Sequence, residues 1–128
     1  MTTYRVAPPV NNQELNALFA IAWPHHQWYD FTPVLSRSLS FVCAYEANQL
    51  VGFVNLAWDG GIHTFILDTT VHPDVRRQGI GLNLVKQAVA VAQEAGIKWV
   101  HVDYEPHLET FYRQCGFRHS AAGVMALR

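Results

Sequence analysis

The segment Arg76-Arg77-Gln78-Gly79-Ile80-Gly81-Leu82 lies where a β-rich run gives way to a helical pattern. A helix start leaves about four backbone N–H groups unpaired and carries a partial positive charge. Glycines at 79 and 81 would take away side chains that could hold an anion off those donors. Arg76 and Arg77 add charge at the rim, so the segment suits a pyrophosphate. On the glycine pair alone, a plain strand–helix loop with solvated arginines reads equally well. Two other phosphate loops do not fit: no Lys-Ser or Lys-Thr pair completes a P-loop, and Leu84 stands where a dinucleotide fingerprint needs its third glycine.

Other residue types are less pointed. Cys43 and Cys115 form no CxxC pair and sit in no nucleophile motif. His101-x-Asp103 with a distal histidine, His107 or His119, could be drawn as an iron triad, but it leaves the glycine turn unexplained, and no metal is expected. Trp23-Pro24-His25-His26-Gln27-Trp28-Tyr29-Asp30-Phe31 concentrates aromatic surface in one stretch. It is either packing between two helices or the border of a pocket or of a homodimer interface through Trp28 or Tyr29.

The elements that must position these residues follow from periodicity. Thr3–Val6 predicts a short strand. Asn11 or Asn12 caps a helix reaching Trp23, with Leu15, Leu18, Phe19 and Ala22 on one face and Pro24 as the stop. Thr32-Pro33 predicts a cap followed by proline at the first helical position. Phe41–Ala47, Leu50–Trp58 and Ile62–Val71 predict an antiparallel meander, turning at Asn48-Gln49 and at Asp59-Gly60-Gly61. Gly79–Ala95 is helical, with Gly96 as its stop. Ile97–Asp103 then predicts a strand parallel to the third meander strand across a βαβ crossover. Pro106–Gln114 predicts a short helix, and Phe117–Leu127 a hairpin turning near Ala121–Gly123. The fold class is α+β: a mixed, mostly antiparallel sheet flanked by helices, with one crossover.

Two blocks in this order, Arg76-x-x-Gly79-x-Gly81 after a strand ending Val71-x-Pro73, and Phe111-Tyr112-Arg113-Gln114-Cys115-Gly116-Phe117 after the next strand, resemble the GNAT superfamily of N-acyltransferases. The resemblance spans Leu67–Phe117. It implies acetyl-CoA as co-substrate, with the pyrophosphate on the backbone of Arg77, Gln78, Gly79, Ile80, Gly81 and Leu82. Arg76 stands at the rim, and Thr69 and Val71 lie along the pantetheine arm. A backbone N–H near the end of the Ile62–Val71 strand would face the thioester oxygen. Tyr112 matches the residue that protonates the departing thiolate; a phenol of pKa about 10 can donate to a thiolate whose conjugate acid lies near about 8.5. The family often has Asn seven residues before that tyrosine, where this chain has Glu105.

The acceptor implied is an amine, on a small molecule or a protein, attacking directly. Asp68, His72, His101, Asp103, Glu105, His63 or water could take its proton. Alternation along a regular strand places Asp68 and Thr70 on one face and Leu67 and Thr69 on the other. A non-catalytic acyl-CoA-binding domain of the same fold is the alternative function.

Composition narrows the class. The chain has 128 residues, 50% hydrophobic and 15% charged, with a formal net charge of −1. That balance predicts one packed domain over residues 1–128 rather than disorder. It lacks the basic excess of a nucleic-acid binder. No apolar run is long enough for a membrane span, and no signal-peptide core opens the chain. The expectation is a cytoplasmic protein.

Overall fold

A computed structural model describes residues 1–128. The strands are β1 (Thr3–Val6), β2 (Ser40–Glu46), β3 (Gln49–Trp58), β4 (His63–Val71) and β5 (Trp99–His101). The helices are α1 (Asn12–Ala22), α2 (Thr32–Arg37), α3 (Ile80–Glu94) and α4 (Glu109–Gln114). The strands form one sheet in the order β1-β2-β3-β4-β5. Neighbours are antiparallel except β4 and β5, which run parallel and are joined through α3. No helix is long and apolar enough to cross a membrane.

Local chemistry accounts for most element ends. Asn11 and Glu14 close a capping box on α1: the Glu14 N–H donates to Asn11 Oδ1 at 2.8 Å, and the Asn11 N–H donates to Glu14 Oε1 at 3.2 Å. At α2 the expected Thr32 cap is absent. Instead the Thr32 N–H donates to Asp30 Oδ1 at 3.0 Å, and Thr32 lies inside the helix. The β2–β3 turn is Ala47-Asn48, one residue earlier than expected. Both residues have positive φ, +48° and +68°, so the hairpin follows the twist of its strands and Gln49 already pairs with Glu46.

Alternation along the central strands gives the sheet two buried faces. Val42, Val54, Leu56 and Ile66 pack under α3 with Ile80, Leu84 and Ala88. Cys43 and Phe53 face the opposite way, against Leu15, Leu18, Phe19 and Phe31 of α1 and its connection to α2.

Three expectations change toward the C-terminus. β5 covers Trp99–His101 rather than Ile97–Asp103. The last helical segment is a 3-10 turn, Pro106–Leu108, followed by α4 from Glu109. The expected hairpin within Phe117–Leu127 does not form; residues 117–128 carry no strand. A hairpin added to a sheet needs an edge to pair with, and three residues of β5 offer a short one. Val124, Met125 and Leu127 accordingly remain exposed.

Candidate active site

β4 and β5 pair at only three positions, His63–Trp99, Thr64–Val100 and Phe65–His101. β4 then runs on to Val71 while the chain after His101 leaves the ladder. The edge of β4 from Ile66 onward therefore has no strand beside it on the β5 side. A cavity of about 890 Å³ opens at this divergence, lined by Phe65, Leu67, Val102, Asp103, Tyr104 and His119 among others.

On its other side β4 carries a bulge. Asn55 opposes Leu67 and Phe53 opposes Thr70, so Asp68 and Thr69 share the single place opposite Val54. Asp68 takes the left-handed conformation, φ +59°. The extra residue changes which side chains share a face. Ile66 and Val71 pack with the α3-side core, and Thr69 lies beside Tyr112 of that core. Thr70 instead receives a hydrogen bond from Trp23 at the end of α1. The regular alternation expected of this strand, with Thr69 beside Leu67 and opposite to Ile66, is thus broken at the bulge. Asp68 is exposed, yet the protein around its carboxyl desolvates it and raises its pKa.

Tyr112 is buried, with Tyr104 stacked on it at 5.1 Å and Phe111 and Phe117 meeting it edge-on. Burial pushes its phenol up; the Thr69 hydroxyl pulls it down, and Cys115 and Asp103 push it up further. Thr69 Oγ1 is near the phenol without hydrogen-bond geometry. It is the one buried side-chain oxygen that has no partner. An unpaired buried hydroxyl on a wall next to an open strand edge fits a polar ligand or an ordered water. Tyr104 rather than Tyr112 lines the cavity, and its hydroxyl shares a 3.0 Å hydrogen bond with His119 Nδ1. Sequence reasoning missed this pair: neither residue belongs to the motif, and only the stacking brings Tyr104 forward.

Beyond Val71 the chain makes a 3-10 turn, Pro73–Val75. His72 caps it, its Nδ1 accepting the Asp74 N–H at 3.1 Å, while its own N–H donates to Val51 O at 2.8 Å. It is buried at the α1 side, near Leu18 and Ile21, and lies outside the β4–β5 cavity. Arg77 and Gly79 then both have positive φ, +65° and +78°. The first bond of α3 runs from the Asn83 N–H to Gly79 O at 3.0 Å, which leaves the N–H groups of Ile80, Gly81 and Leu82 ahead of the ladder. Ile80 itself is a core side chain and offers only backbone.

The two glycines serve different ends. A Cβ at Gly79 would meet nothing within 4 Å; glycine is needed there for the left-handed φ. A Cβ at Gly81 would reach the Phe111 ring at 3.4 Å and Val71 Cγ2 at 3.7 Å. At Gly81, then, the start of α3 lies close to α4 and β4, with a methyl's worth of room in ordinary contact. Arg76 is exposed and also reaches back to the backbone. Its Nε–H donates to Val71 O at 3.3 Å and its Nη2 to Ala22 O at 3.5 Å. Arg77 and Gln78 are exposed.

The remaining proton-acceptor candidates are scattered. His101 and Asp103 line the cavity. His63 Nδ1 and His101 Nε2 share a 2.8 Å hydrogen bond, and Phe65 stacks on His101 at 4.9 Å. Glu105 precedes the Pro106–Leu108 turn, exposed, 3.7 Å from His107. No three His, Cys, Asp or Glu side chains converge as a metal-ligand set. Burial pushes the Cys43 thiol up to about 12 and raises Cys115 as well, so neither is a ready nucleophile.

The aromatic stretch is held by Asn16. Its Nδ2 donates to Asn12 O and Tyr29 O, and its Oδ1 accepts the Tyr29 N–H and a bond from His26 Nε2, each at 2.8 Å. With Oδ1 accepting, His26 Nε2 carries the proton. Phe31 is core, but Trp28 is 68% and Tyr29 50% exposed, so neither is.

A sequence model of the acetyltransferase (GNAT) family matches residues 10–117, and the chain belongs to that family. It is 31% identical over 94 residues to the uncharacterized N-acetyltransferase ycf52 of Gracilaria tenuistipitata var. liui, covering 69% of this chain and 52% of that protein. It is 36% identical over 63 residues to the mycothiol acetyltransferase of Mycolicibacterium vanbaalenii, covering 49% of this chain and 21% of that one. The chain thus spans about half or less of the curated relatives it matches. Among solved structures, a GNAT family acetyltransferase of Streptococcus pneumoniae TIGR4 superposes with a TM-score of 0.79 at 26% identity, covering 100% of this chain and 98% of that one. A Bacillus subtilis acetyltransferase in complex with CoA has the same fold, with a TM-score of 0.75 at 22% identity, covering 94% and 79% of the two chains.

Proposed function

We propose that this GNAT acetyltransferase, folded as one domain, moves the acetyl group of acetyl-CoA to an amine by direct attack. The observation that carries this reading is the free β4 edge, which runs from Thr69, beside Tyr112, to the unpaired N–H groups that open α3. An extended amide-bearing arm can pair with that edge as an added strand. The N–H groups of residues 77–82 then meet the pyrophosphate at its far end. Tyr112, kept protonated by burial, gives its proton to the thiolate as the C–S bond breaks. The acceptor amine loses a proton as its C–N bond forms, to Asp103, His101 or a water between them, the groups that line the cavity. Aromatic surface at Phe65, on the cavity wall, suits an apolar or cationic amine.

Tyr104 is the second reading for the acid, favoured by its place on the cavity wall. The test is CoA-thiol release from acetyl-CoA across a panel of arylalkyl, aliphatic, amino-acid and sugar amines and a lysine peptide. Acceptor-dependent release supports transfer. Tight CoA binding without release by any amine supports a non-catalytic acyl-CoA-binding domain.

A further inference from the structure

We propose that Trp23 and Thr70 form a positioning pair that holds the β4 bulge, so that the end of α1 sets the geometry of the thioester end of the donor site. The kinetic part of this inference rests on the acyl-transfer reading; the structural part does not.

The bulge needs something to hold it. Asp68 sits at φ +59°, a conformation that costs an L-residue other than glycine free energy and persists where the surroundings impose it. Two residues on, Thr70 supplies that constraint. Its hydroxyl donates to Asp68 O at 2.9 Å and accepts the Trp23 indole N–H at 3.1 Å. The Trp23 bond thereby orients the hydroxyl so that its one proton points back at Asp68 O. Thr70 is 2% exposed, while 48% of the Trp23 surface faces water with its N–H turned inward.

A second tie lies alongside. Arg76 bridges Val71 O and Ala22 O. Two successive residues of β4 are therefore fastened to the last residue of α1 and the one after it. What the bulge secures is the side on which Thr69 falls. With it, Thr69 stands beside Tyr112; with regular alternation, Thr69 would face α1 instead. Losing the indole N–H or the Thr70 hydroxyl frees Asp68 to leave the left-handed region and takes the wall of the thioester site with it.

The test uses W23F, which keeps a ring and removes the N–H, T70V, which removes the hydroxyl at constant shape, and T70S, which keeps it. Without any substrate, W23F and T70V should both shift the backbone amide resonances of Asp68 and Thr69, while T70S leaves them near wild type. With an active amine, W23F and T70V should lower kcat roughly tenfold, a misplacement effect, with KM for acetyl-CoA within twofold. The double variant should be no worse than T70V alone. Unmoved Asp68 and Thr69 amides in folded W23F and T70V overturn the proposal, as does a KM rise at constant kcat or strictly additive losses. Wild-type protein that turns over no amine refutes the transfer reading instead, and the amide resonances still decide whether the pair holds the bulge. Trp23 is half-exposed, so W23F is the variant that keeps the fold if T70V does not.

Discussion

Gly81 and Gly79 look alike in the motif but should respond differently to substitution, and Gly81 gives the sharper test. A methyl at Gly81 lies in ordinary contact with Phe111, at 3.4 Å, and Val71, at 3.7 Å. G81A should therefore keep wild-type stability within about 0.5 kcal/mol, as an unstrained change does. The two further carbons of G81V must enter the space of the Phe111 ring, which itself packs edge-on against buried Tyr112. Overpacking of this kind costs about 1–3 kcal/mol. Urea unfolding would read it as a lower midpoint at unchanged slope. The strain also pushes the start of α3 away from β4, so CoA affinity by calorimetry should fall with stability. F111L in the G81V background frees volume at the contact and should recover part of both losses, a non-additive pair. If G81V is as stable as G81A, or if F111L adds its own cost without relief, the assignment of Gly81 to helix packing is wrong.

Other expectations concern the acid, the bulge carboxylate and the aromatic loop. Y112F should lower kcat by about 10²–10⁴-fold with CoA affinity intact, the range for general acid catalysis, and Y104F much less; the reverse order would transfer the role to Tyr104. Burial raises the Asp68 pKa above its ordinary 3.8, so the folded state holds that proton more tightly than the unfolded chain, and stability falls as pH rises from below that value through the raised one. D68N removes this loss and tolerates the left-handed backbone, so its stability advantage over wild type should grow between pH 3 and pH 6; a constant difference in urea midpoints would argue against a raised pKa. N16A strips the loop of its partners at Tyr29 and His26 and should cost about 2 kcal/mol, the penalty of unpaired polar groups, read as a lower melting temperature with faster amide exchange at Tyr29.

Much of the fold was legible in the residues because its signals are local. The α1 box needs only Asn11 and Glu14, three positions apart. The helix over 79–95 and the three meander strands come from residue types within single short runs, and each forms close to its expected bounds. The motif blocks gave the family for the same reason: each is a short run with fixed internal spacing. Tertiary structure decided what depends on partners far along the chain. The bulge at Asp68 lies between the pairs Asn55–Leu67 and Phe53–Thr70, and Thr70 is bonded to Trp23, 47 positions away; no strand periodicity carries that information. The same bulge moved Thr69 to the Tyr112 side. Arg76, which the motif offers as charge for a phosphate, is drawn by two carbonyls, one of them 54 residues distant. His72 became a cap, and Tyr104 came to the cavity wall through its stacking on Tyr112. A residue's type is set by its codon; whether its polar atoms are free for chemistry is set by which unsatisfied backbone groups the fold brings within reach.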